Sequence, residues 1–423
     1  RLAVPPSRPK SCDPIPNARR RTLRVAVLSM LEPAAESGLG ARAFLRVGGL
    51  TVARQQLALA LAMQCERIVC IAPALTNPIV ELQHLAERAG AHFHVIPGAR
   101  PLVGLVTATD ELIVLADGLF ASTAEACDLL SDGQSVLVQP IEQGLAAGFE
   151  RIDLNHAAAG AMRLPGRLAE RLGDLPADCD AVSSLQRIAL QAGIRQRAIT
   201  PTGQDGLFWT LVRSDAEAHS IEPLWIRQRT RDADPLGPTR ALALLAVRGF
   251  GPAMLHAGTG GNAILIAALA SLLLAFGAGW FGFFAVGLGL CALGWLLREV
   301  ASLLVRIERD ETVPGKRIDA AGLYAWAIDG VLIVLLAWAT FGGEHKFHDA
   351  LFPPFMLIAL LRVLAALPTG RWSGWLSDRG LAALALMGAM MGGLASEATH
   401  IGASLAAVAA IVLVRAKNRL TRP

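Results

Sequence analysis

Beyond Asn262 the chain becomes almost continuously apolar, and no other feature restricts its fold as strongly. Six stretches, 262–278, 282–305, 320–341, 350–368, 381–396 and 401–414, are rich in Ala, Leu and Gly and carry few charges. Apolar runs approaching 20 residues read as membrane spans, and several of these lie near the lower length limit. Gly277, Gly279 and Gly282 divide the first two stretches at a hairpin rather than leaving one long helix. Composition agrees: of 423 residues 53% are hydrophobic, 17% are charged and one is tyrosine, with a mean hydropathy of +0.46. A disordered chain, a disulfide scaffold and a purely cytosolic enzyme are excluded.

The charges between the stretches set a direction. With the large N-terminal part in the cytoplasm, the inner loops hold Arg306, Arg309, Lys316 and Arg317, then Arg371 and Arg379, then the tail Arg415, Lys417, Arg419 and Arg422. The outer loops hold Lys346 alone. That asymmetry predicts six spans with both ends inside, an integral protein of the inner, cytoplasmic membrane. Arg298, Glu299, Asp329 and Arg362 fall within the stretches, where an unpaired charge costs several kcal/mol, so pairing inside the bundle is expected. Arg298 and Arg362 stand near enough to span ends to snorkel, whereas Asp329 is central and is the best intramembrane polar candidate. Glu397 and His400 read as solvated boundary residues.

From Leu23 to about Leu224 short apolar runs alternate with helical stretches, the pattern of a doubly wound, Rossmann-like α/β domain. Strands are expected at Leu23–Leu28, Arg67–Ile71, His92–Ile96, Glu111–Ala116 and Ser135–Val138, and helices at Thr51–Met63, Asn77–Ala89 and Ser122–Leu130. The near-continuous Val/Ile/Leu runs call for a parallel sheet covered on both faces. The expected organisation is a disordered lead-in at 1–22, an α/β domain at 23–225, a charged connector at 226–261, an all-α six-helix membrane domain at 262–414 and a basic tail at 415–423. Cys12, Cys65, Cys70, Cys127, Cys179 and Cys291 are scattered without a C-x-x-C pair, so neither a zinc site nor a disulfide framework is indicated.

Two segments carry chemistry. After the first strand comes a glycine-bearing loop, with Gly38, Gly40, Arg42 and Arg46 ahead of Val47-Gly48-Gly49. Backbone N–H groups with a nearby guanidinium can cradle a triphosphate; a tight turn with solvated arginines is the plain alternative. The second segment is Leu112-Ile-Val-Leu-Ala-Asp117-Gly118, a buried strand with a carboxylate at its end. Asp117 there can hold Mg²⁺ against substrate phosphates, or can merely close the strand with an Asx turn. Asp153, Asn155 and His156 are candidates for acceptor contacts, or form a polar loop.

Together these segments resemble the nucleotidyltransferase family that makes sugar- and polyol-nucleotides, over roughly residues 23–220, including Phe208-Trp209. The resemblance implies attack by a sugar or polyol phosphate on the α-phosphate of an NTP, CTP favoured, with pyrophosphate leaving. Arg42 stands where the family has lysine, since no lysine occurs between Lys10 and Lys316. Leu211 and Arg213 stand at the family's late acidic positions, leaving Asp117 as the metal and catalytic carboxylate unless Asp205 or Asp215 contributes.

The membrane half resembles the CDP-alcohol phosphatidyltransferase family, whose pattern is Asp-x-x-Asp-Gly-x-x-Ala-Arg followed by Gly-x-x-x-Asp-x-x-x-Asp. Set in register, Arg306, Gly315 and Asp319 match, while Arg298, Ala301, Ser302, Val305 and Leu323 replace the remaining positions. One carboxylate in place of four implies that phosphatidyl transfer is lost. The leading expectation is a membrane-tethered nucleotidyltransferase-like protein of polar-lipid or envelope head-group synthesis. Its partners would be a nucleotide, a phosphorylated small molecule, membrane lipid and a second copy of the chain, with no nucleic acid. The alternative is a non-catalytic scaffold or sensor beside an active lipid-synthesis enzyme. A transporter or lipid flippase fits less well, since no inverted repeat is present.

Overall fold

A computed structural model describes residues 22–35, 40–199, 208–231, 237–256, 260–308, 320–340, 347–366, 374–375 and 378–420. In chain order, the strands are β1 (Arg24–Ser29), β2 (Arg46–Val47), β3 (Leu50–Thr51), β4 (Arg67–Ile71), β5 (His92–Ile96), β6 (Glu111–Leu115), β7 (Leu119–Ala121), β8 (Ser135–Pro140), β9 (His156–Pro165), β10 (Gln196–Ala198) and β11 (Trp209–Leu211). The helices are α1 (Val52–Ala62), α2 (Asn77–Arg88), α3 (Leu102–Leu105), α4 (Thr123–Ser131), α5 (Ile141–Ala146), α6 (Ala181–Gln191), α7 (Asp215–Arg229), α8 (Pro238–His256), α9 (Gly261–Trp280), α10 (Phe284–Glu308), α11 (Ala320–Thr340), α12 (Phe347–Ala366), α13 (Arg379–Met391) and α14 (Ala395–Leu420).

The chain divides into two units. One comprises Arg1–Leu31, Leu59–Leu119 and Thr123–Leu207; the other comprises Glu32–Ala58, Phe120–Ser122 and Phe208–Pro423. The first is α/β, built on a seven-stranded sheet of order β10-β8-β9-β6-β1-β4-β5. Every expected strand is present, and β1 pairs parallel with both β4 and β6. The sheet is mixed rather than wholly parallel, because β9 runs antiparallel between β6 and β8. Its inner strands are sealed on both faces: Val25, Val27, Val69, Ile71, Leu112 and Val114 join one cluster with Met162, Leu164 and Leu185, and the alternate positions Leu28, Ile68, Ile113 and Leu115 are fully buried as well. At the amino-terminal edge of β6, Glu111 accepts both Nη2–H bonds of Arg163 at 2.8 and 2.9 Å, and a third from Arg24 Nε at 3.2 Å. This shared carboxylate ties the starts of β1 and β6 to the end of β9.

The second unit is mainly helical. Six helices, α9 to α14, coincide with the six apolar stretches, but only four segments among the described residues are long and apolar enough to cross a membrane: Gly261–Trp280, Phe284–Ile307, Gly322–Thr340 and Ala395–Val412. Ala350–Leu364 and Arg379–Met391 are shorter. The expectation of six spans is corrected on that physical ground, since helix rise gives Arg379–Met391 too little length for a hydrocarbon core of about 30 Å. Leu272, Leu288, Ile328, Leu335, Ile358 and Leu386 pack at the centre of these helices. Leu269, Leu273 and Leu274 of α9 face outward, as expected of lipid-facing positions.

Candidate functional site

Asp117 leaves the carboxyl end of β6 and is buried, with 7% of its surface exposed. The turn beyond it needs Gly118, whose φ is +76°, a region costly for residues with a Cβ. Ala116 N–H donates to Gly160 O at 2.7 Å, and Gly160 itself has φ +74°. A Cβ on Gly160 would lie 3.0 Å from Phe149 and 3.2 Å from Ala116, so this glycine lets β9 pass closely beside the strand end. Burial pushes the Cys70 thiol up to about 12, and the Asp117 charge adds to the effect.

The Asp153 loop lies at the same end of the sheet, because His156 opens β9 opposite Pro140 of β8. Asp153 Oδ1 accepts from Asn155 N at 2.8 Å and His156 N at 2.7 Å, and the carboxylate meets His156 Nδ1 at 3.1 Å. These bonds, first the Asn155 amide and then the imidazole, hold the Asp153 carboxyl below its usual range. The loop is therefore an Asx turn that satisfies its own carboxylate.

The glycine-bearing loop belongs to the second unit. Gly38 lies outside the described residues, as do Asp205, Gly315 and Asp319. Gly40 O accepts from Ala34 N at 2.8 Å, and Arg42 N donates to Glu32 O at 2.9 Å, closing a short bridge. The Arg42 guanidinium is committed as well: Nη2 donates to Glu32 Oε2 at 2.7 Å. Arg46 is exposed on β2. The following turn has Gly48 at φ +61° and Gly49 at φ +82°, and a Cβ on Gly48 would meet the Trp225 ring at 2.7 Å.

Glu222 fixes this turn and carries no signal in the sequence beyond being an acid within a helix. Its side chain on α7 is fully buried, and Oε1 accepts from Gly48 N at 3.0 Å. Trp225, one turn later, packs edge-on against Phe120 at 4.9 Å and against Phe208 at 5.1 Å, placing the Phe208 singled out in the sequence in an aromatic core rather than on a surface.

Leu211 is buried in β11. Arg213 donates to Glu217 through Nη2 at 2.5 Å and Nε at 3.1 Å. Burial works against ionisation of Glu217, but Arg213, with help from Arg42, outweighs it and holds the carboxyl below its ordinary value. Asp215 is exposed at the start of α7.

A divalent ion takes several oxygen ligands, and among the described residues no group of three or more His, Cys, Asp or Glu side chains is placed to hold one. Among the described residues the donor set therefore does not fit a magnesium ion held chiefly by the protein. The expected Asp117 metal site is thus one carboxylate, whose other ligands a bound phosphate would have to supply.

In the helical unit, Asp329 is 3% exposed and pairs with two other helices. Arg362 Nε of α12 reaches Oδ2 at 2.6 Å and Arg379 Nε of α13 reaches Oδ1 at 3.3 Å. Arg362 also donates to Ala325 O at 3.1 Å and lies over the Trp326 ring. Arg298 pairs with Glu299 and stacks 4.7 Å from the Trp295 ring. Pairing inside the bundle, rather than snorkelling, accounts for both arginines. Arg306 is exposed near the end of α10.

No protein-family model matches the chain, and no curated protein matches it. Solved structures similar to it include a protein described as a glucose-1-phosphate thymidylyltransferase from Bacillus anthracis, in complex with sucrose, at 11% identity and a TM-score of 0.36 over 48% of this chain and 95% of that one. Another is the inositol-1-phosphate CTP transferase from T. maritima, at 14% identity and a TM-score of 0.35 over 47% and 92%.

Proposed function

We propose that this chain is a membrane-anchored, nucleotidyltransferase-like binding protein that recognises a nucleotide or a phosphorylated sugar or polyol and has given up metal-dependent transfer. It would serve head-group synthesis as a sensor or scaffold beside an active enzyme in the same membrane. One observation carries this reading: Arg213, bonded to Glu217 through Nη2 and Nε, occupies a position where the nucleotidyltransferase resemblance implies an acid. A guanidinium cannot ligate a cation, and its charge is matched by Glu217. The Arg42–Glu32 pair agrees, since a triphosphate-binding cation is spent on an internal partner. In the helical unit Arg298, paired with Glu299, stands where the CDP-alcohol phosphatidyltransferase resemblance implies a metal-binding aspartate.

Asp117 favours a second reading, residual transfer of a nucleotidyl group with CTP preferred, because a buried carboxylate at the carboxyl end of a parallel strand is where α/β sheets place ligand-binding groups. One experiment separates the two. The full chain in detergent is titrated with CTP, other nucleoside triphosphates and polyol phosphates, and pyrophosphate release is followed with and without Mg²⁺. Binding without pyrophosphate supports the first reading. Magnesium-dependent release that Asp117→Ala abolishes overturns it in favour of the second, and no binding at millimolar ligand overturns both.

A further inference from the structure

Helix α8 occupies the segment that reads as a charged connector, and its two faces are unusual. The inner face, Ala243, Leu244, Val247 and Leu255, packs with Ile226 of α7 and with Val300, Leu303, Leu304 and Ile307 of α10. The outer face is not polar in compensation. Leu242, Leu245 and Phe250 are 56, 66 and 65% exposed, and at helical spacing they align with Ala246, Gly249 and Ala253 in a stripe without a single charge. A helix apolar on both faces is not stable against water, and scattered single exposures would not form such a stripe.

The position of α8 identifies the medium that covers it. Its partners on α10 are the last two turns of the candidate span Phe284–Ile307, so α8 lies against the end of a membrane-crossing helix. Its start is tied to the segment just ahead of α13: Asp378 accepts from Thr239 N at 2.8 Å and from Thr239 Oγ1 at 2.7 Å. Exposed Trp375 is three residues before that carboxylate, and exposed Arg306 is on the last turn of α10. Tryptophan and arginine beside an apolar stripe are the residue types of the headgroup boundary. Arg248, near the edge of the stripe, donates to Thr230 O at 3.1 Å and Thr230 Oγ1 at 3.2 Å, holding the helix roll. The helix is not among those long and apolar enough to cross.

We infer that α8 lies in the plane of the bilayer surface, with Leu242, Leu245 and Phe250 inserted at the boundary between headgroups and acyl chains. This rests on the helical unit being membrane-embedded, and the test separates the two claims. The full chain, carrying the fluorescent residue dansylalanine in place of Leu245, Phe250 or Leu269, is reconstituted in vesicles of phosphatidylcholine and phosphatidylglycerol. Quenching is compared for lipid nitroxides near the headgroup, lipid nitroxides at the chain end, and aqueous iodide. Positions 245 and 250 are expected to be quenched several-fold more by the headgroup nitroxide than by the chain-end one, with the reverse order at 269 in the middle of α9. Iodide quenching at 245 and 250 with lipid quenching retained at 269 overturns the α8 placement alone. Protection of 245 and 250 from all three quenchers also overturns it, in favour of a second copy or another protein covering the stripe. Loss of lipid quenching at 269 removes the membrane reading itself.

Discussion

Glu217 shows how one ion pair sets the titration of a side chain. Its carboxyl is held below the ordinary value of 4.5, so the ion pair with Arg213 contributes stability above that pH and loses it as acid titrates the folded state through the lowered value. The expected outcome is an acid limb in thermal unfolding of the detergent-solubilised chain that shrinks in Glu217→Gln; an unchanged limb would show that other carboxylates account for it. Since the pair is partly exposed, its effect at neutral pH is small, up to about 1 kcal/mol. The acids that mattered were unequally legible in the sequence. Asp117 announced itself because it follows a run of buried aliphatics, whereas Glu222 looks like any helical surface acid until α7 folds against the Gly48 turn. Asp153 was visible as a polar loop, but only hydrogen-bond geometry shows that it closes on itself.

Among elements, the junction of α11, α12 and α13 through Asp329 is the most exposed to a single change. Asp329→Asn removes the carboxylate charge to which Arg362 and Arg379 both donate, and breaking a buried pair this way costs about 3–5 kcal/mol. Thermal unfolding in detergent should fall accordingly, and Asp329→Asn combined with Arg379→Gln should recover part of the loss; a single variant as stable as the parent would show that the arginines have other sufficient partners. Asp329 was recognisable as a buried polar position, yet its two partners lie 33 and 50 residues away, a separation no local pattern spans. Strands followed the same logic. β4 and β5 match their expected limits because Val, Ile and Phe define them, while β9, with four Ala and one Gly among ten residues, has weak strand preference and is held by the neighbours on each side. Helix α8 was hidden by the charged residues around it, although its apolar positions were in plain view.

For the molecule as a whole, four crossings, an even number, return the chain to the side from which it entered. A fluorescent reporter inserted before Leu23 and one fused after Pro423 are therefore expected to report the same compartment, the cytoplasm by the charge bias; opposite compartments would require an odd count and would break the assignment. The hairpin glycines and the compositional break near Asn262 made this organisation readable early, whereas the shortness of Arg379–Met391 emerged only with the helix limits. Asp378 has a mechanical corollary. The same carboxylate caps the first turn of α13, through Gly380 N at 3.0 Å and Leu381 N at 3.2 Å, and grips the first turn of α8. Any pull on the chain just ahead of Pro238 is thus delivered at a rivet joining two helix starts, so tension loads the bundle directly instead of being absorbed by slack.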